Sequence, residues 1–250
     1  MGTIEEDLYH GRRLARDPGR RGEALALTER DREILRHCYH TRLLSADLIV
    51  ALVGAPDTGS QWLMRRLRRL YDAGYLDRPH RQVHHNVAPG SGRFQGLNKL
   101  VYALGTKGAA AVGEELHDTT SGRLRWEQKN REITALQINH GLMVARVYTS
   151  LRLALRKGQN GELIFWHEGQ SLKTTFFSNA AGEHVPGPQA REDLGRHVVY
   201  PDSYFGISVP HDEPGKRAGL YYFVEADRST MDLARYLRKL KDYCKCYRFK

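Results

Sequence analysis

Arginine is concentrated in one short segment, where four of five consecutive residues carry a guanidinium group: Arg65, Arg66, Arg68 and Arg69. No Asp or Glu lies among residues 60–71 to balance these charges. Guanidinium groups bind phosphates through paired N–H donors, whereas uncompensated like charges at this spacing repel one another. The segment therefore predicts contact with a polyanion, nucleic acid first; the alternative is a charged face that is only solvated.

A second group of residues has the chemistry of a divalent-metal site. Asp202 lies in a strand-like run, Glu225 and Asp227 close another such run, and Glu168 lies near the end of a third. Carboxylates at the ends of neighbouring strands can converge on one cation, as phosphodiester hydrolysis requires. The alternative is that these acids are ordinary strand-end and cap residues, and Asp227 fits a helix cap well.

The arginine segment reads as an amphipathic helix within residues 60–75. Leu63, Leu67 and Leu70 are spaced by four and three residues, which places them on one side. At about 100° per residue, the opposite side presents the candidate DNA contacts Gln61, Arg65, Arg68 and Arg69. Arg66 flanks the leucines, where it is predicted to reach a phosphate from the edge.

The elements around this helix have the order of a winged helix-turn-helix over residues 25–118. A first helix starts at Thr28, whose cap is completed by Asp31, and a second follows Ser45. After Gly74 two strands flank a polar hairpin tip at residues 81–96. Its basic side chains are predicted to contact the backbone of double-stranded DNA; they are Arg81, His84 and Arg93.

Residues 126–250 follow a different pattern and are predicted to form a second domain. Residues 126–156 read as two helices meeting near Asn139–Gly141, followed by three strands and a last helix that carries Leu233, Leu237 and Leu240. The strands are predicted at Glu162–Glu168, Arg196–Ser208 and Gly219–Ala226. The expected fold class is α+β, with an αβββα second domain.

Composition limits the class of protein. The 250 residues carry a net charge of +10, which favours an anionic partner. No apolar run approaches the roughly 20 residues of a membrane helix, and the acidic N-terminus lacks a signal-peptide pattern. We therefore expect a cytoplasmic protein without membrane contact, with residues 1–24 as a flexible basic arm.

The acidic residues of the second domain resemble the PD-(D/E)XK nuclease core, also called restriction-endonuclease-like. Pro201-Asp202 matches its first element and Glu225-x-Asp227 its second. The resemblance implies a catalytic set of Asp202, Glu225, Asp227 and Lys239, with Mg²⁺ or Mn²⁺ held by Asp202, Glu225 and Glu168 if the site is active. The chain departs from the pattern at Asp227, where that superfamily has a lysine, and Lys239 is the candidate substitute.

The chain as a whole resembles the replication-relaxation family of plasmid and mobile-element proteins. The resemblance rests on the arginine segment with Tyr71-Asp-Ala-Gly-Tyr-Leu76, on Tyr200-Pro-Asp202 and on Phe223–Thr230. It implies a DNA-binding role in replication or maintenance of a mobile element, with a nuclease-like domain that need not be active. Alternatives are a metal-dependent endonuclease, a transcription regulator, or an assembly partner of another replication or mobilisation protein; a homodimer on a two-fold site is compatible with these.

Overall fold

The structure is a computed structural model that describes residues 25–54, 60–79, 100–116, 126–158, 161–179, 181–185, 194–213, 215–227 and 232–248. The predicted arm, the wing tip and the boundary near residue 118 lie outside these ranges. The chain divides between Lys157 and Gly158 into two compact units. Helices and antiparallel sheets occur in both units, which confirms the α+β class. Within the described ranges, no helix is long and apolar enough to cross a bilayer.

The first unit contains short strands between helices. Its central strand, Val101–Leu104, pairs antiparallel with both other strands, and Leu76 lies opposite Leu104. This pairing joins the two strands that the sequence predicts on either side of the wing. In chain order the elements are α1 (Glu29–Thr41), β1 (Leu44–Ser45), α2 (Ala46–Val53), α3 (Ser60–Asp72), β2 (Leu76–Asp77), β3 (Val101–Leu104), α4 (Thr106–Glu115), α5 (Trp126–Glu132) and α6 (Ala135–Gly158).

Local signals fix the ends of α1 and α3. The predicted cap of α1 is confirmed as a capping box, in which the Asp31 N–H donates to Thr28 Oγ1 and the Thr28 N–H donates to Asp31 Oδ2. Two residues after α3, Gly74 has a φ of +86°, which a residue without a Cβ adopts readily. The chain turns there into β2, as predicted.

The break between α5 and α6 is at residues 133–134, so the predicted meeting point near Asn139–Gly141 is wrong. The physical reason is a second capping box. The Gln137 N–H donates to Thr134 Oγ1 and the Thr134 N–H donates to Gln137 Oε1, which starts a new helix. Gly141 lies inside α6, where a Cβ would meet Leu43 Cδ1 at 3.2 Å.

Helix α6 packs in the first unit, whereas the sequence prediction assigned residues 126–158 to the second domain. Its Ile138 and Leu142 are buried in one cluster with four residues of the preceding elements, Leu43, Val101, Ala103 and Ile133. Tyr148 of α6 is also buried, and its hydroxyl lies 2.7 Å from His37 Nδ1 of α1. The boundary moves because the apolar side of α6 is needed to complete the first core.

The described residues of the second unit form two three-stranded antiparallel sheets and one long helix. One sheet has the order β4-β8-β9 and the other the order β6-β5-β7. The elements are β4 (Glu162–Glu168), a 3₁₀ turn (Gln170–Leu172), β5 (Thr174–Ser178), β6 (His184–Val185), β7 (Gly195–Val199), β8 (Ser203–Pro210), β9 (Arg217–Val224) and α7 (Leu233–Arg248).

This arrangement corrects the predicted αβββα order, because the second predicted strand is two strands in different sheets. Strand β7 ends at Val199 and β8 begins at Ser203, with Pro201 between them. Proline lacks the N–H that a sheet ladder needs, so it separates the two strands. Strand β5 was not predicted, and the helix predicted before the first strand belongs to the first unit.

Register in the β4-β8-β9 sheet assigns each side chain to one of two faces. Trp166, Phe205 and Tyr222 lie opposite one another across the three strands and share one face, on which Trp166 and Phe205 are buried. The rows on either side of this row point to the other face. These rows carry Phe165, His167, Tyr204, Tyr221 and Phe223, which we call the aromatic face.

Candidate functional site

Helix α3 presents the predicted contact residues on the side away from its leucines. Leu63, Leu67 and Leu70 are all buried, which confirms the predicted apolar side. Gln61, Arg65 and Arg69 are exposed on the other side. Across the residues that the structure describes, neither Arg65 nor Arg69 forms an ion pair with a carboxylate.

Arg66 contacts other residues of the first unit, whereas the sequence predicted that it reaches a phosphate. Its Nε donates to Asp31 Oδ1 at 2.9 Å and its NH2 group donates to Asp31 Oδ2 at 2.5 Å, in a bidentate pair. It also donates to the Ala26 carbonyl. Burial by itself raises the pKa of Asp31, but hydrogen bonds from Arg66 and Thr28 outweigh it, so that the pKa is lowered. Arg66 therefore ties α3 to the cap of α1.

Arg68 is bonded within its own helix and is partly exposed. Its Nε donates to Asp72 Oδ2 at 2.9 Å one helical turn away, and its guanidinium lies 5.6 Å from the centre of the Tyr71 ring. The Asp72 side chain is buried, while that of Arg68 is about one-third exposed. The predicted four-arginine surface thus contains two anchored arginines and two exposed ones.

The structure adds two residues to this surface that the sequence analysis missed. Trp62 is an exposed tryptophan beside Gln61, and the guanidinium of Arg30 lies 5.4 Å from its ring centre. The available signal in the sequence was a tryptophan directly beside a predicted contact residue, Gln61. The predicted wing residues Arg81, His84 and Arg93 lie outside the described residues.

The predicted acidic residues occupy one edge of the β4-β8-β9 sheet but are engaged separately. Glu168 accepts a hydrogen bond from Trp166 Nε1 at 2.8 Å, on the face that buries Trp166. Asp202 accepts a hydrogen bond from the Ala226 N–H at 2.7 Å, which links the residue before β8 to the segment after β9. Asp227 is exposed beyond the end of β9.

Glu225 is held by the last helix. Lys239 Nζ and the Tyr243 hydroxyl, one turn apart on α7, both donate to its carboxylate. Burial and the bond to Glu225 raise the pKa of Tyr243 above its ordinary range. This contact places the Lys239 ammonium at the acidic edge. Glu225 contacts Tyr243, whose ring meets Phe223 of the aromatic face, so Glu225 and Glu168 lie on opposite faces of the sheet.

A metal ion is therefore not accommodated by these carboxylates as they are arranged. Among the described residues, no three His, Cys, Asp or Glu side chains are grouped so that they could hold one. Strand register directs Glu168 and Glu225 to opposite faces of the sheet, which separates two of the three predicted metal ligands. The metal and catalytic roles of Asp202, Glu225, Asp227, Lys239 and Glu168 stay predictions, and no hydrolytic step follows from this geometry.

A hydrogen-bonded relay that the sequence analysis missed connects β5, β7 and α7. Ser178 Oγ lies 2.9 Å from His197 Nε2, and His197 Nδ1 lies 2.7 Å from Asp242 Oδ1. Lys245 Nζ is 3.4 Å from the same Nε2. The order Ser–His–Asp is that of a nucleophile relay, but Ser178 is buried within the sheet. Here the relay holds the helix to the strands.

Comparison with protein-family models gives a match over most of the chain. The model described as replication-relaxation covers residues 35–250, which is most of the chain. The chain belongs to the replication-relaxation family. Membership indicates a role in replication or relaxation of a plasmid or mobile element. No curated protein and no solved structure matches the chain. In this family member the candidate functional residues are the exposed polar and basic side chains of α3 and the carboxylates at the acidic edge of the β4-β8-β9 sheet.

Proposed function

We propose that this replication-relaxation protein binds double-stranded DNA through α3. The observation that carries the proposal is that Gln61, Arg65 and Arg69 are exposed along one side of a helix whose other side is buried. Arg65 and Arg69 would contact phosphates, and Gln61 with one of the arginines would read base edges in the major groove. Phosphate contacts would position the helix on the duplex, and base-edge contacts would read the sequence.

The position of α3 supports this assignment. Helices α1, α2 and α3 precede two antiparallel strands, which is the element order of a winged helix-turn-helix. The Arg66–Asp31 pair fixes α3 on α1, so the exposed arginines are presented from a rigid support. The proposed wing, with Arg81, His84 and Arg93, would add backbone contacts on the neighbouring groove.

The distribution of charge along the chain also favours the unit that contains α3 as the one that binds DNA. Residues 1–157 contain 26 Lys and Arg against 17 Asp and Glu, whereas residues 158–250 contain 13 against 12. Nearly all of the net positive charge therefore belongs to the unit that contains α3. An electrostatic attraction to duplex DNA would act on this unit first.

The test measures the salt dependence of DNA binding. A fluorescein-labelled 30-base-pair duplex of mixed sequence is titrated with the protein at several NaCl concentrations. Each phosphate contact contributes about 0.9 to the slope of log affinity against log salt. The double variant Arg65→Ala/Arg69→Ala is expected to lower that slope by about 2.

The matched control is Arg146→Ala/Lys157→Ala, which removes two exposed cations from α6 of the same unit. It is expected to leave the slope nearly unchanged. If both double variants lower the slope equally, binding depends on the overall charge of the unit and α3 is not the contact helix.

A second candidate function, metal-dependent cleavage of DNA, has one observation in its favour. Lys239 contacts Glu225 at the acidic edge, where the chain lacks the lysine of the PD-(D/E)XK pattern. The separation of Glu168 from Glu225 is against it. Supercoiled plasmid incubated with the protein and Mg²⁺ or Mn²⁺ separates the two: nicking that Glu225→Gln abolishes would add cleavage to binding.

A further inference from the structure

The aromatic face of the β4-β8-β9 sheet is a continuous surface of rings. Phe165 lies 4.9 Å from His167 and 5.0 Å from Tyr204, and Tyr204 lies 5.0 Å from Phe223, measured between ring centres. Tyr221 lies 6.1 Å from Phe165 and 6.5 Å from Tyr204. These are the separations of rings in contact. All three strands contribute, so the sheet holds the rings in a fixed array.

Gly206 allows the rings of Phe165 and Tyr221 on either side of it to lie close together. It lies between Phe165 and Tyr221 in the same row across the sheet. A Cβ at Gly206 would be 2.8 Å from Phe165 Cε1 and 3.1 Å from the Tyr221 ring. Because that space has no side chain, the two neighbouring rings approach each other over the backbone.

The aromatic face remains open to solvent. Tyr221 is 58% exposed and Phe223 is 44% exposed, whereas Trp166 and Phe205 on the opposite face are buried. The opposite face thus already buries rings of β4 and β8, although Tyr222 of β9 on that face is 43% exposed. The rings of the aromatic face are not needed to form that core. Clustered exposed rings of this kind mark a binding surface.

A basic helix borders this surface. Helix α7 contains six Lys and Arg residues and one acidic residue. It meets the aromatic face where the Tyr243 ring lies 5.4 Å from Phe223. Arg235, Lys239 and Tyr243 are spaced by four residues, so they lie along the same side of α7. Lys239 is paired with Glu225, so the exposed Arg235 is the cation that this side offers to a phosphate. Cations beside exposed rings are the two features of surfaces that bind unpaired nucleic acid.

We propose that the aromatic face binds single-stranded nucleic acid by stacking unpaired bases on Tyr221 and Phe223, while α7 attracts the backbone. Two rows of rings on three strands span roughly 7 by 10 Å, room for about two bases. A duplex does not offer its base faces, so the surface discriminates against it. This site is in the second unit and goes beyond the duplex contact proposed for α3.

The experiment compares neighbouring tyrosines of β9 that point to opposite faces. Tyr221→Ala removes a ring of the aromatic face, and Tyr222→Ala removes a 43% exposed ring from the other face. Each full-length variant is titrated against a fluorescein-labelled 12-nucleotide thymidine oligomer, its uridine counterpart and a duplex. Tyr221→Trp, which keeps a stacking ring, controls for folding.

Tyr221→Ala is expected to weaken single-strand binding about tenfold, since a stacked base contributes about that much affinity or more. Tyr222→Ala and Tyr221→Trp are expected to stay within about twofold of the parent protein, and duplex binding to remain unchanged. The uridine oligomer shows whether RNA is held as well as DNA. Equal losses for both alanine variants, or no loss for Tyr221→Ala, would overturn the proposal. Failure of the α3 proposal would show instead in the duplex titration.

Discussion

Helices α3 and α7 have similar sequences in one respect and opposite environments. Both are basic and amphipathic, with leucines at helical spacing. In α3 the leucines are buried, and Leu67 is fully inaccessible to solvent. In α7 the leucines are outside, and Leu237 is 47% exposed. The inner side of α7 instead carries polar and aromatic contacts, including Lys239 on Glu225 and Asp242 on His197.

The difference teaches that amphipathic spacing defines a helix face without deciding what that face contacts. The arginines of α3 point outward because its leucines complete a core. The same reasoning applied to α7 would bury its leucines, but the second unit holds this helix through hydrogen bonds and the Phe223–Tyr243 ring contact. Two stability measurements test this contrast, and a third compares a buried with an exposed histidine; they follow in descending order of expected effect.

The largest effect is expected from shortening a leucine. Leu67→Ala should lower the free energy of unfolding by about 4 kcal/mol, because it removes buried methyl groups and leaves a cavity. Leu237→Ala should cost less than about 1 kcal/mol, since much of its side chain is already in water. Urea unfolding followed by circular dichroism measures both. Similar losses for the two variants would mean that the leucines of α7 are covered in solution.

Ion pairs of the two helices should differ in the same direction. Arg66→Met leaves the buried carboxylate of Asp31, which is 1% exposed, without its main partner, and should cost about 3 kcal/mol. Lys239→Met breaks a pair with Glu225 whose side chains are both about one-third exposed, and it should cost less than about 1 kcal/mol. The same unfolding assay applies, with Arg69→Met as the control on α3. A loss below 1 kcal/mol for Arg66→Met would contradict its anchoring role.

A smaller, pH-dependent effect is expected from His37, which lies inside the first unit. Burial and then the nearby charges of Arg152 and Arg156 lower its pKa from 6.5 to about 3. Since the unfolded chain takes up the proton first, stability is full above about pH 6.5 and is lost as pH falls toward 3. From pH 7.5 to pH 5 this histidine should cost about 2 kcal/mol.

His37→Gln is expected to reduce that acid-induced loss, because glutamine does not titrate. The exposed His211 of the second unit is the matched control, and His211→Gln should follow the parent protein. The measurement is the free energy of unfolding at pH 5, 6 and 7.5. An unchanged pH dependence for His37→Gln would show that His37 is accessible to water in the folded protein.

Several features were predictable because they depend on neighbouring residues alone. The capping box of Thr28 and Asp31 and the buried leucines of α3 follow from short-range spacing, and both predictions are confirmed. The break before α6 had an equally local signal in Thr134 and Gln137, whereas the prediction placed it near Gly141. Glycine is compatible with a helix when a neighbour, here Leu43, packs against it.

Other features depend on residues far apart in the chain, and spacing could not give them. The bidentate pair between Arg66 and Asp31 joins residues 35 positions apart, and it withdraws one arginine from the predicted contact surface. The assignment of α6 to the first unit depends on Leu43 and Val101 accepting its apolar side. The face of the sheet to which Glu168 and Glu225 each point depends on how the strands pair, because a shift of one residue along a strand moves a side chain to the other face.

The sequence by itself determined the family, the α+β class, the amphipathic helix α3 and the concentration of positive charge in the first 157 residues. These follow from composition and from periodicity within single elements. Only the tertiary structure decided which arginines are exposed, where the chain divides and which rings form the aromatic face. Each of these is set by long-range packing and strand pairing, which bring together side chains that the sequence keeps apart.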